Sequence, residues 1–119
     1  MTGGHLTEIP IVFYRTSGGV EPVRDWLRGL PGDDRQKIGF DLAVVQVGWP
    51  VGMPLCRSLG GGLWKMRNSL PSRRIARILF CVHKGRIGVV HGFIYHQKTQ
   101  KTPQDEIELA RKRMTEMTA

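Results

Sequence analysis

Apolar positions along the chain repeat with two different periods, and the change of period divides it into two halves. From Ile9 to Arg15 (IPIVFYR) a short apolar run predicts a strand, closed by the turn residues Thr16-Ser17-Gly18-Gly19. Helical spacing follows. Glu21-Pro22 opens a helix, since proline is tolerated where the backbone N–H would be unpaired anyway. Val23, Trp26, Leu27 and Leu30 then give that helix one apolar face, and Pro31-Gly32 breaks it. Asp33 and Asp34 begin a second helix at the end where the dipole favours acids. Ile38, Leu42 and Val45 form its buried stripe, and Gly48-Trp49-Pro50 stops it.

After Gly60-Gly61-Gly62 the period shortens to two. Leu63 to Arg67 (LWKMR), Arg74 to His83 (RIARILFCVH) and Arg86 to His96 (RIGVVHGFIYH) predict three strands. The three glycines lack a following GK[ST] and helix, so they predict a turn and not a phosphate cradle. Lys84-Gly85 fits a two-residue hairpin, with Gly85 at positive φ. A last helix follows, with Thr102 as N-cap and Pro103 at its first position. Ile107, Ala110, Met114 and Met117 supply its apolar face, and Arg111-Lys112-Arg113 reads as a solvated cap near its C-terminal end. The expected fold is therefore α+β: strand–helix–helix, then an antiparallel three-stranded meander with a C-terminal helix.

The hairpin turn sets a register in which His83 faces Arg86. Phe80 then faces Val89, Ile78 faces His91 and Ala76 faces Phe93, an apolar face with His91 as a core histidine. The other face pairs Arg77 with Gly92, Leu79 with Val90 and Cys81 with Gly88. Trp64 and Met66 make a core pair, which turns Lys65 and Arg67 toward the opposite side. The expected result is a shallow basic concavity holding Arg67 and Arg77 and floored by Gly92, unless a bulge moves residues to the other face.

Charge gives this concavity its interest. The chain of 119 residues, length for one domain over 1–119, carries a formal +8. Residues 1–56 have five basic and six acidic side chains; residues 57–119 have thirteen basic and four acidic. A one-sided excess points to a polyanion, an acidic protein, or both. No run of apolar residues is long enough for a membrane span. Met1 to Glu8 lacks the basic and apolar regions of a signal peptide, so the cytoplasm is the expected location. Cys56 and Cys81 stand alone and read as buried thiols. The sequence has none of the clustered acids that a Mg²⁺ site wants, and no metal or cofactor is expected.

Several motifs together carry a resemblance. They are Gly62-Leu63-Trp64 with Arg67, Arg77-Ile78-Leu79-Phe80, His91-Gly92-Phe93-Ile94, and Lys98-Thr99-Gln100-Lys101-Thr102-Pro103 leading into Glu106-Ile107-Glu108-Leu109-Ala110. In these the chain resembles the RelE/HigB superfamily of toxins from type II toxin–antitoxin systems, particularly its phage-derived Gp49-like branch. The resemblance implies a RelE-like fold and a ribonuclease that cuts mRNA, usually on the ribosome, and inhibits translation. It implies as partner a cognate antitoxin, of helix-turn-helix type, encoded beside it. By position Arg67 and Arg77 match the family's catalytic arginines, and Lys98 and Lys101 its basic loop. Two departures stand out: Lys65 replaces the family's usual acid, and Tyr95-His96 lengthens the segment before Lys98.

RNA is cleaved without a metal when its 2′-OH attacks the adjacent phosphate. In that reaction Arg67 and Arg77 would hold the phosphorane charge, and Lys98 or Lys101 would be a base if neighbouring cations lower its pKa. Tyr95 or His96 would stack on a nucleotide or act as acid or base, and Lys65, Arg73 and Arg74 would add RNA contacts. Two other readings share this pattern. One is a ParE-like toxin that poisons a protein target such as DNA gyrase; the other is a nucleic-acid-binding module without chemistry, for which no helix-turn-helix pattern with a basic recognition helix is evident.

Overall fold

The structure, a computed structural model, describes residues 8–95 and 102–119. Strand β1 (Ile11–Phe13) leads into helices α1 (Pro22–Arg28) and α2 (Gly32–Gly48). Strands β2 (Cys56–Gly60), β3 (Leu63–Ser69), β4 (Ile75–His83) and β5 (Arg86–Tyr95) follow, then helix α3 (Gln104–Thr118). The fold is α+β as expected, but the sheet has five strands in the order β1-β5-β4-β3-β2, where a three-stranded meander was expected. Strand β1 lies parallel to β5, so the sheet is mixed; the other neighbours are antiparallel. The additional edge strand β2 has only Cys56 fully buried and Leu59 partly buried, its other residues being exposed, so it carries no apolar alternation to announce it. Strand β1 is shorter than the Ile9–Arg15 run, since only three of its residues reach the β5 ladder.

Helices cover both sheet faces. On one face Val23 and Leu27 of α1 and Ile38, Leu42 and Val45 of α2 pack on Met66, Ala76, Ile78, Phe80, Ile87 and Val89. On the other face Ala110, with Ile107, Met114 and Met117, packs on Leu63, Leu79 and Val90. The helical stripes read from the sequence are thus the buried ones. Polar groups tie α2 to the sheet as well. Asp34 and Asp41 are both buried on this helix. Asp34 accepts hydrogen bonds from the Ser72 N–H and from Arg74, each at 3.1 Å, and so anchors the β3–β4 turn. Burial pushes the Asp34 carboxyl up, but the bonds from Ser72 and the charge of Arg74 outweigh it and hold the pKa below the usual value.

The Lys84-Gly85 hairpin forms as expected, with both residues at positive φ (50° and 71°), the pattern of a type I′ turn. Its register holds for His83↔Arg86, Cys81↔Gly88 and Phe80↔Val89, and then slips by one residue at a bulge. Beyond the bulge Leu79 faces His91, Ile78 faces Gly92, and Arg77 faces Phe93. Two expectations are corrected by this slip. His91 leaves the apolar core face and turns to α3, where its Nε2 lies 3.1 Å from Glu106 Oε1. Gly92 moves to the α1 side and does not floor the Arg77 face.

At Gly92 the missing Cβ makes room for an indole. A Cβ built there would lie 2.7 Å from Cζ3 of Trp26 and 3.0 Å from Cδ1 of Ile78. A packed indole yields poorly, so Gly92→Ala is expected to destabilise by about 1–3 kcal/mol in urea unfolding, the usual range for overpacking. At Gly88 the closest group is the flexible thioether of Met117, at 2.8 Å, and alanine there should cost less. Equal stability of the Gly92 variant and the native chain would mean that Trp26 is not held as described.

Helix α3 also departs from expectation. Pro103 occupies the N-cap position, and no side chain caps the helix. The Thr102 hydroxyl is used elsewhere, as described below. The basic run Arg111-Lys112-Arg113 is not simply a solvated cap either. Arg111 donates to the carbonyls of Leu59 and Gly60 at the β2–β3 turn, and Arg113 to the carbonyl of Val90 at the bulge. The carbonyls freed by irregular strand ends thus obtain partners from the helix.

Candidate functional site

Strand alternation decides which side chains meet. Leu63, Lys65 and Arg67 of β3 point to the face that α3 packs on, as do Arg77 and Leu79 of β4. Helix α3 starts beside Lys65 and ends beside Gly88, so it covers the part of this face nearer the β4–β5 turn. The remainder is open and basic. A cavity of about 140 Å³ lies there, lined by Arg57, Lys65, Arg67, Arg77 and Tyr95, with residues 53–55 completing its wall.

The cations come from three adjacent strands. Arg57 sits opposite Lys65 across the β2–β3 ladder, and Arg67 opposite Arg77 across the β3–β4 ladder. Like charges directly opposite each other destabilise a sheet. Among the described residues no carboxylate forms an ion pair with Arg57, Lys65 or Arg67. Arg77 is 2% exposed, its guanidinium carbon 4.1 Å from the centre of the Tyr95 ring. This stacking and a hydrogen bond to Thr102 Oγ1 at 3.0 Å hold the guanidinium in place. Lys65 Nζ donates to the same hydroxyl at 3.1 Å. Two buried cations thus share one neutral acceptor.

This crowding changes the acidity of both groups. Burial, with the charges of Arg77, Arg57 and Arg67, pushes the Lys65 ammonium down to about 8. Burial also lowers the pKa of Arg77, and Arg67 adds to the effect; a guanidinium nevertheless stays charged near neutral pH. The arrangement can bind a phosphate in a planar fork, and an anion bound there would gain from cations already gathered and partly dehydrated.

The residues singled out in the sequence distribute unevenly. Arg67, Arg77, Lys65 and Tyr95 come together in the cavity. Arg73 and Arg74 do not: Arg73 is exposed in the β3–β4 turn at φ 67°, and Arg74 is engaged with Asp34. His96, Lys98 and Lys101 lie outside the described residues. His83 lines a different cavity at the β4–β5 turn, with Lys84 and Arg86. Sequence reasoning missed Arg57, which pairs with Lys65 and faces the same cavity. Recognising β2 as a strand would have been the signal for it. Cys56 and Cys81 are buried free thiols, both raised in pKa by burial, Cys56 to about 11. Among the described residues no three His, Cys, Asp or Glu side chains are grouped to hold a metal ion, and no helix is long and apolar enough to cross a membrane.

No curated protein matches the chain. A family model does, and it spans the elements that build the basic cavity. Residues 25–115 match the phage-derived Gp49-like proteins, a RelE/HigB-like toxin family, and the chain belongs to that family.

Proposed function

We propose that the protein is a toxin acting as an endoribonuclease that cleaves mRNA on the ribosome, inhibits translation, and is neutralised by a cognate antitoxin of helix-turn-helix type. One observation carries this reading: Arg57, Lys65, Arg67 and Arg77 crowd a single cavity with the Tyr95 ring. A fold gains nothing from setting like charges opposite one another, whereas a phosphodiester approaching a transition state gains a good deal. Membership of a toxin family supports the antitoxin as partner, and the basic cavity offers an acidic inhibitor a surface of opposite charge.

In this mechanism the ribose 2′-oxygen attacks the adjacent phosphorus, and the P–O5′ bond breaks. Arg67 and Arg77 take up the charge of the phosphorane on its non-bridging oxygens. The Tyr95 ring holds the Arg77 guanidinium by stacking and lines the same cavity, where it would contact a neighbouring nucleotide. Four cationic side chains supply the positive charge a metal would otherwise provide, so the reaction is assigned as metal-independent. Lys98 or Lys101 as a base and His96 as an RNA contact are carried into this proposal from the sequence alone.

The test is induced expression in growing cells with mapping of mRNA 5′ ends. Growth arrest with new 5′ ends inside coding regions is expected. Arrest without new ends, accompanied by loss of DNA supercoiling activity in a gyrase assay, would replace this reading with a ParE-like one.

A further inference from the structure

A helix packed on a sheet ordinarily carries polar residues opposite its buried stripe. Helix α2 does not. Ile38, Leu42 and Val45 are buried against the sheet, yet Phe40, Val44 and Val47 on the outer side are 66%, 39% and 43% exposed, and Ala43 among them is exposed as well. Along this outer side Asp33, Gln36, Phe40, Ala43 and Val47 follow one another at alternating steps of three and four residues. That is the spacing of a seam between two paired helices. The seam also holds a knob and a hole. Phe40 is its largest side chain. Three residues on, Ala43 is its smallest, and it lies beside Gly39, where a Cβ would meet nothing within 4 Å.

We propose that this face of α2 is the interface between two copies of the chain, paired antiparallel about a two-fold axis that passes between Phe40 and Ala43. A two-fold axis requires a surface complementary to itself, and the seam meets that condition. Phe40 of each copy lies over Ala43 of the other, and Val47 of each lies opposite Gln36. There Val47 meets the mouth of the open groove that Asp33, Gln36, Lys37, Phe40 and Pro71 line.

Charge decides between a second copy and an acidic partner. Helix α1 carries two basic and one acidic side chain and α2 two basic and three acidic, so the pair is balanced at four of each. Of the two cations on α2, Lys37 is held by Asp41, and Arg35 donates to the carbonyls of Arg28 and Leu30. An acidic partner finds little to pair with here and is drawn to the opposite side of the sheet, where Arg57, Lys65, Arg67 and Arg77 gather. A second copy suits a balanced apolar face. Two chains of formal +8 repel each other if their basic faces approach. Pairing through α2 turns those faces apart. Two helices, each about 10 Å across with side chains, then stand between the sheets, more than the screening length of about 8 Å. Both basic cavities stay open in the dimer, so this inference stands apart from the nuclease reading.

One helix pair makes a small interface, in the class below about 1,200 Å² that gives weak, reversible association. Sedimentation equilibrium of the full chain should therefore extend to on the order of 1 mM. The native chain should approach twice the chain mass at the upper end and dissociate on dilution. Phe40→Gln removes the knob, and Ala43→Glu fills the hole and sets two acids across the axis. Each should raise the dissociation constant at least about tenfold. Both positions are exposed, so the fold is expected to survive, and a thermal melt of dilute protein checks it. A native chain that stays monomeric throughout would overturn the proposal, as would folded variants that dimerise with the native constant.

Cysteine pairing tests the register separately, because Cys56 and Cys81 are buried. Gln36→Cys and Val47→Cys proteins, mixed and oxidised, should form the mixed disulfide dimer. Neither should couple to itself, since in this pairing each position lies about 16 Å along the helix from its own copy, at 1.5 Å per residue. Self-coupling of Gln36→Cys, or no mixed dimer, would overturn the antiparallel pairing.

Discussion

Arg77→Ala is expected to abolish growth arrest and to remove the new mRNA 5′ ends expected of the native chain. Losing one preorganised donor to a developing oxyanion costs about a hundredfold to a thousandfold in rate, or about 2.7–4 kcal/mol of transition-state stabilisation. Arg77 should sit at the upper end of that range, because it is buried and fixed on two sides, by the Tyr95 ring and by Thr102. Arg77→Lys separates charge from shape. It keeps a cation in the cavity but loses the planar fork and the stacking, so an intermediate defect is expected. Folding must be checked in parallel, because truncating a buried side chain leaves a void. A matched circular-dichroism spectrum and thermal melt would serve. Full toxicity from a folded Arg77→Ala protein would remove Arg77 from the site.

Asp41→Ala should be the most damaging change far from the cavity, with no direct part in chemistry. The Asp41 carboxylate is buried on α2 and accepts from Lys37 Nζ at 2.8 Å and from Asn68 Nδ2 at 2.9 Å. Lys37 is partly exposed and can turn to water, so it loses little. Asn68 cannot. It is 0% exposed in the middle of β3, and its Oδ1 already has no hydrogen-bond partner among the described residues. Removing the carboxylate would leave the amide N–H groups buried and unpaired as well. That penalty, with the lost charge-assisted bond, comes to about 2–4 kcal/mol. For a chain of this size it corresponds to a fall in Tm of roughly 10 °C.

The Asn68 partner supplies the control. Removing both groups together avoids the orphaned amide, so Asp41→Ala combined with Asn68→Ala should recover part of the loss. A urea double-mutant cycle measures it. Additive effects, or an Asp41→Ala protein as stable as the native chain, would show that the α2–β3 polar link contributes nothing. A milder outcome is expected for Asp41→Asn, which keeps an oxygen acceptor for Asn68 but gives up the charge.

Local pattern carried a large part of the fold. The stripes Val23–Leu27 and Ile38–Leu42–Val45 were readable because helical periodicity depends only on spacing along the chain. The Lys84-Gly85 turn was readable because a two-residue hairpin demands positive φ at positions that few residues accept. From the turn, the first four ladder pairs followed, down to Phe80↔Val89. The alternation of Lys65 and Arg67 against Trp64 and Met66 placed two cations on the Arg77 face, and there the structure brings them together. One-sided charge in the second half pointed to the same surface.

Contacts between distant segments decided the rest. The bulge in β5 follows no local signal: it lets Val90 and His91 both turn to α3, where Arg113 and Glu106 receive them, and gives Gly92 to Trp26. Thr102 reads as a helix cap in sequence, since capping is a local bond, but in the fold Lys65 and Arg77 compete for its hydroxyl and win it. Strand β2 exists because β3 offers it an open edge, and with it comes Arg57, a residue unmarked by its neighbours in sequence. The sequence by itself therefore determined the helices, the hairpin and the sign of the surface, all of which arise from spacing and composition. Only the tertiary structure decided which cations share a cavity and which hydroxyl they share, because burial and electrostatic coupling depend on distances in space that no periodicity encodes.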